Sequence, residues 1–214
     1  YGIRCGKNRI ARIMRKNGIK AKTHRKFKAT TNSKHKYPVA PNLLNQEFNV
    51  TAPNTVWVAD ITYIGTDEGW LYLAMILDLF NRQIVGWAMD KRMKRDLVLR
   101  ALKQAVWRRN PPPGLIHHSD RGSQYASTDY QRALKKYGMK SSMSRKGDPY
   151  DNACAESFFA TLKKQHVYFC HYVTRAQARQ SIFEYIEVFY NRIKGHSLLD
   201  GRSPVDFEKL NHAA

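Results

Sequence analysis

Acidic residues are scarce in this chain: 17 Asp and Glu stand against 37 Lys and Arg in 214 residues, a formal charge of +20. So one-sided a field attracts polyanions and excludes an acidic, solvating role. Cysteine is nearly missing as well. Cys5, Cys154 and Cys170 are odd in number and far apart, which excludes a disulfide framework and the usual paired zinc spacing. The eight histidines, His117, His118 and His171 among them, show no zinc pattern either. No apolar run approaches the roughly 20 residues that span a bilayer, and no signal peptide precedes the first charges. A cytoplasmic protein with no membrane partner is expected, and nucleic acid is the polyanion left.

With 43% hydrophobic side chains, the chain can bury one sizeable core plus a small appendage. The charge is concentrated at one end. Residues 1–50 hold 13 Lys and Arg against the single acid Glu47, a balance of +12 that leaves +8 for the rest. In residues 1–19, Ile10, Ile13 and Met14 fall at helical spacing. Arg9, Arg12, Arg15 and Lys16 populate the other side, and Gly18 is a stop signal. That describes part of a helix-turn-helix that binds DNA, or a basic helix solvated on the core. Residues 20–50 are basic, dotted with Ser, Thr and Asn, and broken by Pro38 and Pro41, as an extended linker would be.

Beyond residue 50 the texture changes. "TVWVADITYIG", "WLYLAMILDLF" and "QIVGWAM" read as three strands of an antiparallel meander. A helix from Lys94 to Arg109 follows, closed by Pro111, Pro112, Pro113 and Gly114. Then come a short strand Leu115 to His118, a helix about Asp129 to Tyr137, a strand near Met139 to Met143 and a helix from about Asp151 to Gln165. Meander followed by alternating helix and strand predicts an α/β layer architecture over residues 51–170. Residues 171–214 are expected to form a C-terminal helical extension, with Ile182, Phe183, Ile186, Phe189 and Tyr190 on one side of its helix.

Three acids stand out. Asp60 shares its strand face with Val56, Val58 and Ile64, while Trp57, Ala59, Ile61 and Tyr63 make the other face apolar, so the strand is central and buried. A carboxylate there needs a proton, a basic partner or a metal. Asp120 follows a strand directly, where open α/β sheets bind ligands; an Asx-turn or helix cap is the plainer reading. Glu156 lies one turn into its helix, with Asn152 four before and Lys163 seven after on one stripe. Phe158, Phe159 and Leu162 face the core, so a solvated Glu is the bland alternative. Together the acids suit a hard divalent cation such as Mg²⁺. Asp78, Asp148 and Asp151 remain substitutes on spacing alone.

The blocks "WVADITYI", "HHSDRGSQYAS", "DPYDNACAESFFATLK" and "FYNRIKGHSLLDGRSPVDFE" resemble successive signatures of bacterial insertion-sequence transposases of the IS-three family, with a retroviral-integrase-type Asp-Asp-Glu core. Thirty-five residues separate Asp120 from Glu156, and Lys163 stands seven beyond, as that family's extended motif requires. The resemblance implies an RNase H-like fold and catalytic ligands Asp60, Asp120 and Glu156 for two Mg²⁺ ions, with Mn²⁺ a substitute. It implies DNA cleavage and strand transfer on double-stranded terminal inverted repeats and target DNA, by a homo-oligomer on paired ends in a bacterial, nucleoid-associated setting. DNA contacts are expected from Lys163, Asn152, Arg121, Arg9, Arg12, Arg15 and Lys16. Alternatives are a metal nuclease of the same fold that only hydrolyses, and a catalytically idle domesticated DNA-binding protein.

Overall fold

A computed structural model gives the fold and describes residues 5–19, 35 and 37–212. Strands β1 (Val56–Ile64), β2 (Leu71–Asp78) and β3 (Ile84–Asp90) form the expected antiparallel meander. Short connections permit this pairing. Gly69, at φ +98°, donates its N–H to Thr66 in the first turn, and Arg82, at φ +61°, sits in the second. Strands β4 (Ile116–Ser119) and β5 (Lys140–Met143) run parallel to β1, giving the order β3-β2-β1-β4-β5. Parallel neighbours need crossovers. Helix α2 (Arg95–Arg109) supplies one, and α3 (Ser123–Ala126) with α4 (Thr128–Lys136) the other.

The alternation along β1 divides the core in two, as its side chains require. Val56, Val58 and Ile64 join Met75, Phe158, Leu162, Ile182 and Ile186 on one face. Trp57 and Ala59 join Leu97, Leu102, Tyr130 and Leu134 on the other. The first layer comes from α5 (Ala153–Gln165), α6 (Arg175–Glu184) and the π-helical turns Tyr185–Tyr190. The second is α2 to α4. Helix α2 lies so close to β3 that a Cβ on Gly86 would stand 2.4 Å from the Ala101 carbonyl oxygen.

The structure departs from expectation in several places. The stretch from Tyr37 onward, expected as linker up to residue 50, lies against the core. Leu44 is buried, Phe48 and Val50 pack beside it, and the Leu43 N–H donates to Ser142 Oγ at 2.8 Å. Hydrophobic anchors override the extended, proline-broken composition there. Residues 20–34 and 36 of that linker lie outside the described residues. The C-terminal part shares this core, but not with every residue of the expected face. Ile182, Ile186 and Tyr190 are core residues, whereas Phe183 and Phe189 are exposed. A π turn closes i→i+5 rather than i→i+4, so the fourfold spacing stays inward and Phe189 turns out. A last helix, α7 (Pro204–His212), follows in the C-terminal part. It is tied down where Glu208 accepts from Arg109 and from Asn81 Nδ2 at 2.6 Å.

Helix α1 (Lys7–Lys16) carries the basic N-terminal pattern and ends where expected, with Gly18 at φ +67° and the Ile19 N–H donating to the Met14 carbonyl. Ile10 and Ile13 are exposed, as are Arg9, Arg12, Arg15 and Lys16. Among the described residues no helix is long and apolar enough to cross a membrane.

Candidate active site

Register brings the first two acids together. β1 and β4 pair in parallel with Ala59 opposite Ser119, so Asp60 follows that pair on β1 and Asp120 follows it just past the end of β4, on chains about 4.8 Å apart. Each carboxylate is steadied by the chain that follows it. Asp60 Oδ1 accepts from the Ile61 N–H at 2.7 Å, and Asp120 Oδ1 from the Gly122 N–H at 2.9 Å. The second bond is the expected Asx-turn, and it coexists with a place in the acid cluster.

The third acid arrives on α5. Asn152, in the 3₁₀ turn Pro149–Asn152 rather than in the helix proper, donates Nδ2 to the Ala59 carbonyl at 3.2 Å. That bond pins the helix start to β1 one residue before Asp60, and Glu156 falls in the first turn of α5. The acids then perturb one another. Burial pushes the Asp60 carboxyl well above its ordinary range, and the charge of Asp120 pushes the same way. The Ile61 N–H opposes the rise, Glu156 adds to it, and Lys163 opposes it. Glu156 is raised by burial and again by Asp120.

Lys163, expected to contact DNA from the stripe it shares with Asn152 and Glu156, is buried, with its Nζ 4.6 Å from the centre of the Tyr63 ring. Burial lowers its ammonium to about 8 against the pull of Asp60. A cation over an aromatic face beside a carboxylate is favourable on both counts. The ring of Tyr63 was missed by sequence reasoning, because a strand pattern does not show which helix crosses it.

The competing acids have other work. Asp78 is fully buried and accepts from the N–H groups of Asn54 and Phe80 and from Trp57 Nε1. Asp151 accepts from Arg145 Nη2 at 2.8 Å, Asn42 Nδ2 at 3.0 Å and Gln46 Nε2 at 2.9 Å, and its carboxyl is held well below the usual range, by Arg145 above all. Asp148 caps the 3₁₀ turn and pairs with Arg145 at 3.2 Å. Arg121, expected on DNA, donates Nε to the Ser144 carbonyl and so ties the Asp120 loop to the end of β5. His117 and His118 are buried and held by Tyr130 and by Ser142 with Ser144. Burial lowers them to about 3 and about 4.

Oxygen donors that repel one another suit a hard divalent cation, whose charge would offset the repulsion. Among the described residues no three His, Cys, Asp or Glu side chains are drawn into ligating geometry. The donor set of Asp60, Asp120 and Glu156 nevertheless fits such an ion in the chemistry of its oxygen ligands.

Two matches to families described as "Integrase core domain" cover residues 50–149 and 156–211, and a match to "HTH-like domain" covers residues 1–27. The 31 kDa protein of insertion element IS600 from Shigella sonnei is 52% identical over 99% of this chain and 78% of its own length. The transposase of IS904 from Lactococcus lactis is 50% identical over 98% of this chain and 83% of its own. The transposase of IS3 from Escherichia coli K12 is 47% identical over 95% and 71%. The chain belongs to the insertion-sequence transposases with an integrase core. Among solved structures, a simian T-cell lymphotropic virus intasome chain matches with TM-score 0.63 and 17% identity, over 86% of this transposase and 62% of that chain. The HTLV-2 integrase catalytic core in complex with magnesium matches with TM-score 0.56 and 17% identity, over 72% and 96%. These two show the fold, an RNase H-like core of five strands flanked by helices.

Proposed function

We propose that Asp60, Asp120 and Glu156 are the catalytic ligands of two divalent cations, Mg²⁺ or in its place Mn²⁺, with which this transposase cleaves and joins DNA. The observation that carries this reading is the strand register that sets Asp60 beside Asp120, with α5 pinned to Ala59 so that Glu156 feels the same charge. When bound, such ions supply Lewis acidity and activation of the attacking oxygen in an in-line phosphoryl displacement. The chain's own residues do the rest. The Ile61 and Gly122 N–H groups each fix one oxygen of the strand acids, and Asn152 fixes the helix that carries the third.

No side-chain nucleophile is required. Water would attack first at the element end, and the 3′-hydroxyl so exposed would then attack a second duplex at the same site. Lys163, beside Asp60, is suited to a phosphate near the scissile bond as a point charge. Helix α1, with its exposed Arg9, Arg12, Arg15 and Lys16, would hold DNA outside the core, and Asn152 would approach it at the site. Assembly on paired ends and a place in the cytoplasm extend the same reading.

The test is a labelled terminal-repeat duplex incubated with the full chain and Mg²⁺. The parent protein should nick the end and join it to a second duplex. D120N and E156Q should retain DNA binding and lose both products. Hydrolysis without joining would favour the nuclease, and binding without cleavage by the parent would favour the idle DNA-binding protein. Cleavage retained by D120N would exclude Asp120 as a ligand.

A further inference from the structure

Of the three acids, Asp120 is the one carried outside a strand or helix: β4 ends at Ser119 and α3 begins at Ser123. Its place depends on what holds residues 120–122. The Arg121 guanidinium reaches the Ser144 carbonyl, and the Ser144 N–H donates to the Ser119 carbonyl at 2.9 Å, which ties the loop to the sheet. The carbonyl of the same Arg121 accepts from His35 Nε2 at 2.7 Å, from a part of the chain 86 residues earlier. That bond reaches the residue directly after Asp120.

The two bonds of the imidazole agree on one form of it. A carbonyl oxygen only accepts, so Nε2 carries the hydrogen, and Nδ1 accepts from the Tyr37 N–H at 3.2 Å. A single neutral tautomer satisfies both. The ring is half-buried and lies tilted beside that of Tyr37, with centroids 5.5 Å apart. The chain that presents it is fastened further on. The Pro41 carbonyl accepts from the Met143 N–H at 3.3 Å, and Ser142 Oγ accepts from the Leu43 N–H at 2.8 Å. Asn42 and Gln46 donate to Asp151 at 3.0 and 2.9 Å, and Gln46 also to Asp148 at 3.1 Å. Pro38 and Pro41 fix φ between His35 and these anchors, so the imidazole is held in place in advance. In the other direction, residues 28–34 join His35 to the HTH-like segment, residues 1–27.

We propose that His35 is a positioning residue for DNA cleavage and joining: through the Arg121 carbonyl it holds the loop that sets Asp120 against Asp60 and Glu156. This rests on the reading of those acids as a cation site. Asp60 is fixed by its strand, and Glu156 by a helix whose start is pinned at Asn152, which leaves the loop to complete the set. Outer partners are the usual means of orienting a carboxylate ligand. The same stretch of chain binds Asp148 and Asp151 ahead of Glu156, so it straps the Asp120 loop and the approach to α5 to one support.

The experiment sets H35N and H35Q of the full chain beside the parent. It combines Mn²⁺ titration by electron paramagnetic resonance, thermal melts in chelator, and cleavage of a labelled terminal-repeat duplex. Asparagine ends where Nδ1 lies, so H35N keeps an acceptor for Tyr37 and loses the reach to Arg121. Glutamine, one methylene longer, carries its N–H about as far as Nε2. H35N should bind Mn²⁺ about tenfold more weakly and cleave saturating duplex about tenfold more slowly, the lower end of what losing an outer partner of a ligand costs. Its duplex affinity and melting midpoint should stay parental, and H35Q should recover both lost quantities. Parental Mn²⁺ affinity in H35N would overturn the proposal. So would weaker duplex affinity with a parental cleavage rate, which marks a DNA contact, or a lower midpoint with a parental rate, which marks a bond of folding only. Should H35N fail to fold, the parent with nitrogen-labelled histidine replaces it. Its His35 Nε2 resonance should shift on adding Mg²⁺ and stay fixed in D120N, and a resonance indifferent to Mg²⁺ would overturn the proposal. A parent protein that binds no Mn²⁺ would overturn the cation site itself, and the His35 role with it.

Discussion

Lys163 and Lys164 are neighbours in sequence and differ in almost everything else. Lys163 is buried over Tyr63 and pulled by Asp60, whereas Lys164 is exposed. Successive helical residues point about 100° apart, so only one of the pair can face the acids. K163A should lower cleavage and joining about 10–100-fold, as expected when one charge-assisted bond to phosphate is removed. K164A should cost about twofold or less, as for a surface charge. Equal activity of both variants in strand transfer would remove Lys163 from the reaction. The same contrast shows what was legible in the sequence. Asp60, Asp120 and Glu156 could be singled out as candidates, from period and strand ends first and then from the family resemblance. Tyr63 could not, since the partner of an aromatic side chain is decided by which elements cross above it. On spacing alone Asp151 has as good a claim as Asp60, and only Arg145, Asn42 and Gln46 around it give it other work.

Among the elements, close approach and clamping decide the architecture. Gly86 lets β3 and α2 meet with backbone almost touching, and a methyl group there would strike the Ala101 carbonyl and Ala105. G86A should destabilise the fold by about 1–3 kcal/mol, measured by urea denaturation. An unchanged midpoint would mean that α2 slides freely. The 3₁₀ turn before α5 depends on Asp151, whose carboxyl is lowered first by Arg145 and against the effect of burial. A depressed native carboxyl adds stability above the unfolded carboxylate range, and that stability is lost as pH falls through the native value. D151N should therefore lower the melting midpoint at pH 7 and flatten its decline toward pH 3. An acid limb parallel to the parent's would show that the clamp is not the titrating group. The strands and α2, α4 and α5 were readable because their patterns are strong. The π turns were not, because the same spacing of apolar residues fits an α-helix until the hydrogen-bond register slips.

The whole molecule is polarised in charge. Residues 1–34 carry twelve Lys and Arg and no acid, yet the chain from Tyr37 is already fastened to the core through Leu43 and Leu44. Removing residues 1–34 should spare the core fold and weaken duplex binding. The slope of log K against log salt should become shallower by about 0.9 for each phosphate that the truncated protein leaves unneutralised. An unchanged slope would show that this charge does not touch DNA. The α/β class followed from the order of patterns in the sequence. The attachment of residues 37–50 did not, because a few anchoring side chains outweighed a composition that resembled linker.

If the three acids form one cation site, the ions can be located there. Crystals of the full chain with a terminal-repeat duplex and Mn²⁺ should show anomalous scattering enclosed by Asp60, Asp120 and Glu156, and D120N crystals grown alike should lose it. Anomalous peaks elsewhere in a complex that still cleaves DNA, or peaks undiminished in D120N, would rule out a cation site made by these acids.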